Sequence, residues 1–269
     1  MSVPILRLSE IHIYPIKSAR GIAVSAARVD HRGLEYDRRW MVVDNEGNFL
    51  TQRSIPHLAL IHTQLRESSL TVTADGMDEL LLPLQPESGK TLPIRVWKDS
   101  FEALDAGQEA AEWFTQVLSR TCRLVFMSDQ TERRVNPKYV PEKAIVSFAD
   151  AFPFMLISQA SLRDLNSRLA EPVPMNRFRP NFVIEGCSAY EEDTWSSITM
   201  GSIKFRVAKP CSRCTVPTVN QDTGVRGLEP IRTLSSYRTM NGEIYFGQNL
   251  VPAGFGTLLV GDEVRAVLA

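Results

Sequence analysis

Two of the chain's four cysteines, Cys211 and Cys214, stand three positions apart in Lys-Pro-Cys-Ser-Arg-Cys-Thr, with Lys209 before them and Arg213 between. Cys-x-x-Cys serves zinc half-sites, redox-active disulfides and single-thiolate ligands of a metal cofactor, so the spacing alone leaves three chemistries open. A structural zinc needs two more ligands, yet Cys122 and Cys187 are single and distant and all four histidines, His12, His31, His57 and His62, lie in the first quarter. A thioredoxin-type site wants its first cysteine at the start of a helix. Here Thr-Val-Pro-Thr-Val follows Cys214, β-branched and interrupted by Pro217, which predicts strand rather than helix. Lys209 and Arg213 favour thiolate over thiol, and Pro210 and Pro217 stiffen the backbone on either side. These residues leave one thiolate offered to a soft metal, beside the plainer alternative of two partly buried thiols at a strand end.

The whole run from Lys209 to Gly224, continuing through Thr-Val-Asn-Gln-Asp-Thr-Gly, resembles the cofactor-binding segment of the MOSC-domain proteins. In particular it is similar to that of the mitochondrial amidoxime-reducing component and its bacterial relatives. The resemblance implies that Cys214 ligates the molybdenum of a molybdenum cofactor and is the catalytic residue, with Ser212 and Arg213 as cofactor contacts. Tyr-Pro-Ile-Lys-Ser at residues 14 to 18 resembles the family's first cofactor contact, which implies that Lys17 and Ser18 approach the pterin and its phosphate. Asp37-Arg38-Arg39-Trp40 resembles the family's Asp-Arg-x-Trp. Consecutive strand residues face opposite sides, so at most one of these arginines enters a given pocket, and the resemblance selects Arg38. An ion pair with Asp37, Asp44 or Glu46 is the plainer role for either arginine. Phe178-Arg-Pro-Asn also matches, implying a cofactor-binding role for Arg179, and Asp150, in Phe-Ala-Asp-Ala-Phe-Pro, completes the set of cofactor-binding candidates. Spacing adds a separate expectation: Pro180 biases Arg179 towards extended backbone, where Arg177 and Arg179 share a face suited to a multi-oxygen anion. A partner in Glu185 or Glu191 is the alternative.

The elements that must position these residues read mainly as β. Residues 5 to 14 predict a strand stopped by Pro15, delivering Lys17 and Ser18 to a loop, and residues 22 to 29 a second strand. Residues 36 to 53 predict a hairpin, with strand 38 to 44, a turn in which Gly47 supplies positive φ, and a return over 49 to 53. Short strands at 58 to 65, 70 to 74, 80 to 82 and 92 to 96 suggest a small barrel. A helix over 109 to 118 turns Trp113, Phe114, Val117 and Leu118 to the core. After a strand at 124 to 127, the charged loop 129 to 143 is expected to be the most mobile segment and to edge the active site. Ser158 can cap a helix carrying Leu162, Leu165 and Leu169 on one face and an Asp164–Arg168 pair. Residues 198 to 207 form a hairpin around Gly201 that runs into the cysteine segment. A short helix or turn at 232 to 240 and a strand-turn-strand at 258 to 267 follow. The fold class is mixed and mainly β, an α+β chain. The resemblance implies a MOSC N-terminal β-barrel domain over residues 1–120, a MOSC domain over 121–269, and a cofactor in the cleft between them.

Composition limits the function classes. With 269 residues, 43% hydrophobic and 23% charged, the chain suits one large or two modest globular domains. A net charge of −1 lacks the global field of a nucleic-acid binder, so any anion site is local. The start of the chain lacks a secretory pattern and no run approaches the roughly 20 apolar residues that span a bilayer. Together with four unevenly spaced cysteines this places the protein in the reducing cytoplasm, with no membrane partner. The mechanism implied by resemblance is reduction of N-hydroxylated compounds, amidoximes or N-hydroxylated base analogues, to the amidine or amine. Neither four closely grouped cysteines for an iron–sulfur cluster nor a Gly-x-Gly-x-x-Gly fingerprint is present, so electrons come from a separate ferredoxin- or flavoprotein-like partner. The competing reading is a carrier of molybdenum cofactor, or of sulfur on a persulfidated cysteine, without its own turnover. A redox-sensing pair would require a Cys211–Cys214 disulfide.

Overall fold

The computed structural model describes residues 5–86, 88–140 and 143–269. Residues 141 and 142 of the charged loop, and 1–4 at the start of the chain, lie outside the described residues. The larger sheet runs in the order Val264–Leu268, Trp195–Met200, Ile203–Ser212, Glu243–Pro252, Phe154–Ser158, Phe182–Glu185, Arg7–Ile13 and Ile22–Val24. Its pairings are antiparallel except one: Phe154–Ser158 and Phe182–Glu185 lie parallel. Parallel neighbours need a crossover, and the Gln159–Asn166 helix lies in that connection. Ser158 caps the helix by accepting the Ser161 N–H, and Asp164 pairs with Arg168. Period-two alternation divides the sheet into two cores. Phe154, Leu156, Phe182 and Ile184 face one core with Ile11, Phe205 and Leu250; Met155, Ile157 and Val183 face the other with Leu165, Phe178 and Phe246.

The smaller unit packs two sheets and a helix about one core. Trp40–Val43, Arg123–Phe126, Asp99–Asp105 and Thr91–Val96 make one sheet, and His62–Leu65, Ser69–Thr73 and Leu80–Pro83 the other. The Gln108–Leu118 helix adds Trp113, Phe114 and Leu118 to Trp40, Val42, Val72, Leu82 and Phe126, a barrel-like arrangement with an apolar interior. Trp113 is core, and its indole N–H donates to the Asp78 carbonyl. The two units are not two consecutive stretches of chain. Arg7–Ile13 pairs with Phe182–Glu185, and Ala26–Asp30 pairs with Gly256–Leu259, so the first thirty-odd residues are built into the second unit's sheets.

Several local expectations change. Residues 58–65 are not one strand: a 3₁₀ turn over Pro56–Leu60 precedes a strand over His62–Leu65, because Pro56 sets a helical φ at its start. The return of the 36–53 hairpin shrinks to a bridge between Val43 and Phe49. Gly47 does take positive φ (76°), and a Cβ there would lie 2.3 Å from the Pro93 carbonyl oxygen. The ten-residue Glu243–Pro252 strand, unremarked in the sequence, is the central partner of Ile203–Ser212. Thr-Val-Pro-Thr-Val does not continue as strand. Val216–Thr218 forms a 3₁₀ turn with Pro217 inside it, pre-set by the fixed proline φ.

Candidate active site

A cavity of about 1290 Å³ opens where the two units meet. Lys17, Ser18, Arg38, Asp150, Arg179, Ser212, Arg213 and Cys214 all line it, brought together from five separate stretches of chain. Nine lysines and arginines line it against three carboxylates, Asp99, Asp150 and Glu243, on a chain whose net charge is −1. The field is local and positive.

The inner wall is built from main-chain locks. The 14–19 loop is pinned to 38–40 by Arg38 N–H to the Tyr14 carbonyl (2.7 Å), Lys17 N–H to Trp40 (2.7 Å) and Trp40 N–H to Pro15 (3.0 Å). Ser18, Arg38 and Arg179 all adopt the left-handed region, with φ of 69°, 51° and 58°. Non-glycine residues seldom hold such φ without surrounding structure that over-determines it, and such outliers cluster at functional sites. Arg179 is therefore not extended. Nor does it share a face with Arg177, which lies in the Met175–Arg177 3₁₀ turn and donates to the Pro217 and Glu229 carbonyls away from the cavity. The Arg38 and Arg179 guanidinium carbons lie 4.5 and 4.3 Å from the centre of one ring, Tyr14, which they share. Gly21 makes room for that ring: a Cβ there would sit 2.4 Å from Tyr14 Cε1. Arg38 also pairs with buried Asp37, while Arg39 turns the other way to the Met127 carbonyl and Asp129.

Arg179 donates from Nη1 to the Ala19 carbonyl at 2.7 Å, but among the described residues its buried Nη2 has no partner, and neither has the buried Nε of Arg213. A buried unsatisfied donor costs on the order of 1–3 kcal/mol, more when charged. Burial pulls the Arg179 guanidinium down to about 10, against the opposing pull of Tyr14. Lys17 is similar. It is 6% exposed, donates to the Phe148 carbonyl at 2.6 Å and to Asp150, and burial brings its ammonium down to about 8 although Asp150 pulls the other way. Asp150 is half exposed, yet the Lys17 and Arg53 cations overcome its desolvation and hold its carboxyl below the usual carboxylate range.

The two cysteines occupy different environments. Cys211 is partly buried against the core that contains Phe178 and Phe246, whereas Cys214 is exposed in the cavity. Both are free thiols. Arg213 serves Cys211 rather than Cys214: its Nη1 lies 3.2 Å from the Cys211 Sγ and its Nη2 donates to the Phe178 carbonyl at 2.8 Å. Lys209 stacks on Tyr139 at 4.6 Å. The cation at Cys214 is Arg53, Nη1 3.4 Å from Sγ and 3.3 Å from Asp150 Oδ2. Main-chain pairing of Ser212 with Tyr245 and an Arg213 N–H bond to the Ile244 carbonyl anchor the segment to the Glu243–Pro252 strand. The Asn-Gln-Asp-Thr-Gly stretch that follows reaches back to the first loop. Asp222 pairs with Arg20, and Gln221 exchanges side-chain hydrogen bonds with Gln52, whose amide holds the Ser18 carbonyl.

Comparison with known proteins gives the family. A family model described as the MOSC N-terminal beta barrel domain matches residues 5–121, and one described as the MOSC domain matches residues 143–265. Mitochondrial amidoxime-reducing component 1 of Mus musculus is 38% identical over 276 residues, which is 96% of this chain and 81% of the mouse protein. The chain belongs to the MOSC-domain family of amidoxime-reducing components. Component 2 of Bos taurus is 38% identical and component 1 of Homo sapiens 37%, each over 96% of this chain and 82% of the relative.

Within this MOSC chain, sequence reasoning missed Arg53, Tyr14 and Trp97. Arg53 sits in a stretch with no chemical signature, and the only signal for Tyr14 was its place in Tyr-Pro-Ile-Lys-Ser beside Gly21. Among the described residues no three His, Cys, Asp or Glu side chains cluster as a metal site. A metal here would have to arrive with its own ligands and take one thiolate. The residues present fit that demand: unpartnered cationic donors for an anionic end, one exposed thiol, and a cavity larger than the roughly 300–1,000 Å³ of a single small-molecule site.

Proposed function

We propose that this protein reduces N-hydroxylated compounds, amidoximes and N-hydroxylated base analogues, with a molybdenum cofactor ligated by Cys214 and electrons from a separate ferredoxin- or flavoprotein-like protein. The observation that carries the reading is the convergence of Lys17, Ser18, Arg38, Asp150, Arg179, Ser212, Arg213 and Cys214 on one cationic cavity, in a chain related over almost its whole length to amidoxime-reducing components. When bound, the cofactor supplies two-electron oxygen-atom chemistry. The chain's own groups bind and orient. Lys17, Arg38 and Arg179 neutralise the cofactor's anionic end, with the unpartnered Nη2 of Arg179 as a donor awaiting an acceptor. Ser18 and Ser212 offer hydroxyls at the cavity wall, and Asp150 holds Lys17 and Arg53 in register. Arg53 keeps a positive charge beside the Cys214 sulfur, the one exposed thiol offered to a soft metal. Cys211, partly buried against the Phe178–Phe246 core, keeps the segment's shape. Four free thiols suit a reducing compartment, the cytoplasm.

The test is metal and pterin analysis of the purified protein, followed by benzamidoxime turnover under reduced viologen, with NADH alone as a second arm. The reading expects turnover with viologen and none with NADH. A fully loaded protein inert to several N-hydroxylated substrates, yet able to pass its cofactor to an apo-enzyme, would make it a carrier instead.

A further inference from the structure

One aromatic side chain stands apart from the rest. Trp40, Trp113 and Trp195 are buried, at 2%, 8% and 4% exposure, but Trp97 is 51% exposed and lines the cavity. It sits at the tip of the hairpin joining Thr91–Val96 and Asp99–Asp105, where Val96 pairs directly with Asp99 and leaves Trp97-Lys98 as a two-residue turn. Tight turns of this kind favour positive φ and hence Asn or Gly. Trp97 adopts φ 57° there, a genuine outlier for so bulky a residue. Strain that persists at a half-exposed indole in a cavity wall points to use.

Its surroundings fix the ring. The Arg53 guanidinium carbon lies 4.8 Å from the ring centre, Phe49 meets it edge-on at 5.2 Å, and the indole N–H points to Asp150 Oδ1 at 3.4 Å. Arg53 is the same cation that touches Cys214. The indole and the thiol thus contact the same guanidinium group, and a flat molecule on the open part of the ring lies in the cavity that Cys214 also lines.

We infer that Trp97 is the substrate platform of the site, stacking planar conjugated N-hydroxylated substrates, aryl amidoximes and N-hydroxylated heterocycles, beside Cys214 in preference to small aliphatic ones. The identity of the substrate rests on the reductase reading above; the stacking of a planar ligand does not. Aromatic stacking contributes enough to change affinity about three- to tenfold.

The test uses the cofactor-loaded protein as wild type, Trp97→Ala and Trp97→Phe. Under reduced viologen, the KM for benzamidoxime relative to that for acetamidoxime rises about three- to tenfold in Trp97→Ala, and Trp97→Phe recovers most of it. Benzamidine, flat and not reducible, provides a readout free of turnover. Its affinity by calorimetry falls by the same factor in Trp97→Ala, and it quenches the fluorescence difference between wild type and Trp97→Phe. An unchanged KM ratio with unchanged benzamidine affinity overturns the platform, as does loss of molybdenum and pterin from Trp97→Ala, which would assign the ring to the cofactor. If wild type turns over neither substrate yet binds benzamidine more tightly than Trp97→Ala, the platform stands and the reductase reading falls.

Discussion

The inner and outer walls of the cavity are made on different principles. Inside, Lys17 and Arg179 are 6% and 9% exposed, rest on main-chain carbonyls, and adjoin backbone held in the left-handed region at Ser18, Arg38 and Arg179. Outside, Arg53 contacts both Trp97 and Cys214 through its side chain, and Cys214 and Trp97 are open to solvent. A main-chain lock cannot move without unpairing the loop that carries it, whereas a side-chain contact can change with one rotamer. A wall of the first kind suits a permanent occupant and a wall of the second kind suits what comes and goes. Positive charge follows the same division: the unpartnered Arg179 donor is buried, while Arg53 already has partners in Asp150 and Cys214.

The strongest blow to this division falls on the thiols. Cys214→Ala abolishes activity and molybdenum content, while Cys211→Ser, a change within the packed wall, keeps most of both. Equal molybdenum loss in the two variants would erase the distinction in favour of a two-thiolate site. Next come the inner cations. Lys17→Ala or Arg179→Ala weakens cofactor binding about ten- to a hundredfold, from the loss of a charge-assisted hydrogen bond worth about 1.5–3 kcal/mol. Arg39→Ala, one residue from Arg38 but turned to Met127 and Asp129, leaves occupancy intact and lowers only stability. Pterin fluorescence after release from the folded variants reads both, and normal occupancy in all three would return the inner cations to ordinary ion pairs.

A smaller effect is expected at Gly21→Ala. The new Cβ collides with Tyr14, so denaturant unfolding shows a loss of about 1–3 kcal/mol, with a parallel loss of cofactor because Arg38 and Arg179 stack on that ring. The gentlest probe is pH. Lys17 titrates at about 8 in the folded protein, below its ordinary 10.5, so the unfolded chain binds more protons between those values and stability of the cofactor-free protein rises with pH across that window. Anion binding runs the opposite way. Sulfate affinity is flat below about pH 8 and falls above it as the ammonium deprotonates, by at most about tenfold per pH unit. Opposite slopes in a sulfate titration and a thermal melt would sharpen the assignment of Lys17 to the inner wall. An affinity indifferent to pH from 7 to 10 removes it.

Much of the scaffold was legible because it rests on local rules. A short β run at 70 to 74 and the alternation of Ile203, Phe205 and Val207 marked strands that form as Ser69–Thr73 and Ile203–Ser212, helical spacing over 109 to 118 marked the Gln108–Leu118 helix, and Ser158 ahead of an amphipathic run marked a cap. The mixed, mainly β class followed from the same signals. Local rules failed where a proline could set either of two conformations. Pro180 argued for an extended Arg179, but the Asn181 N–H donates to the Met155 carbonyl and its carbonyl accepts the His12 N–H, pinning the residue after the proline just ahead of the strand, and the arginine takes the left-handed region. Pro56 and Pro217 nucleated 3₁₀ turns where β-branched or apolar neighbours argued for strand.

Residue types and spacing carried the thiol pair, while the lysine and serine after the first strand and the two arginines came with the family resemblance. Which thiol is exposed, which arginine attends it, and which aromatic rims the cavity were decided by pairing over long separations. Arg53 meets Cys214 across 161 residues and Lys17 meets Asp150 across 133. Such contacts have no period and no spacing in the chain. They exist because the first strand is built into the second unit's sheet, and only the folded sheet brings the two walls within reach of each other.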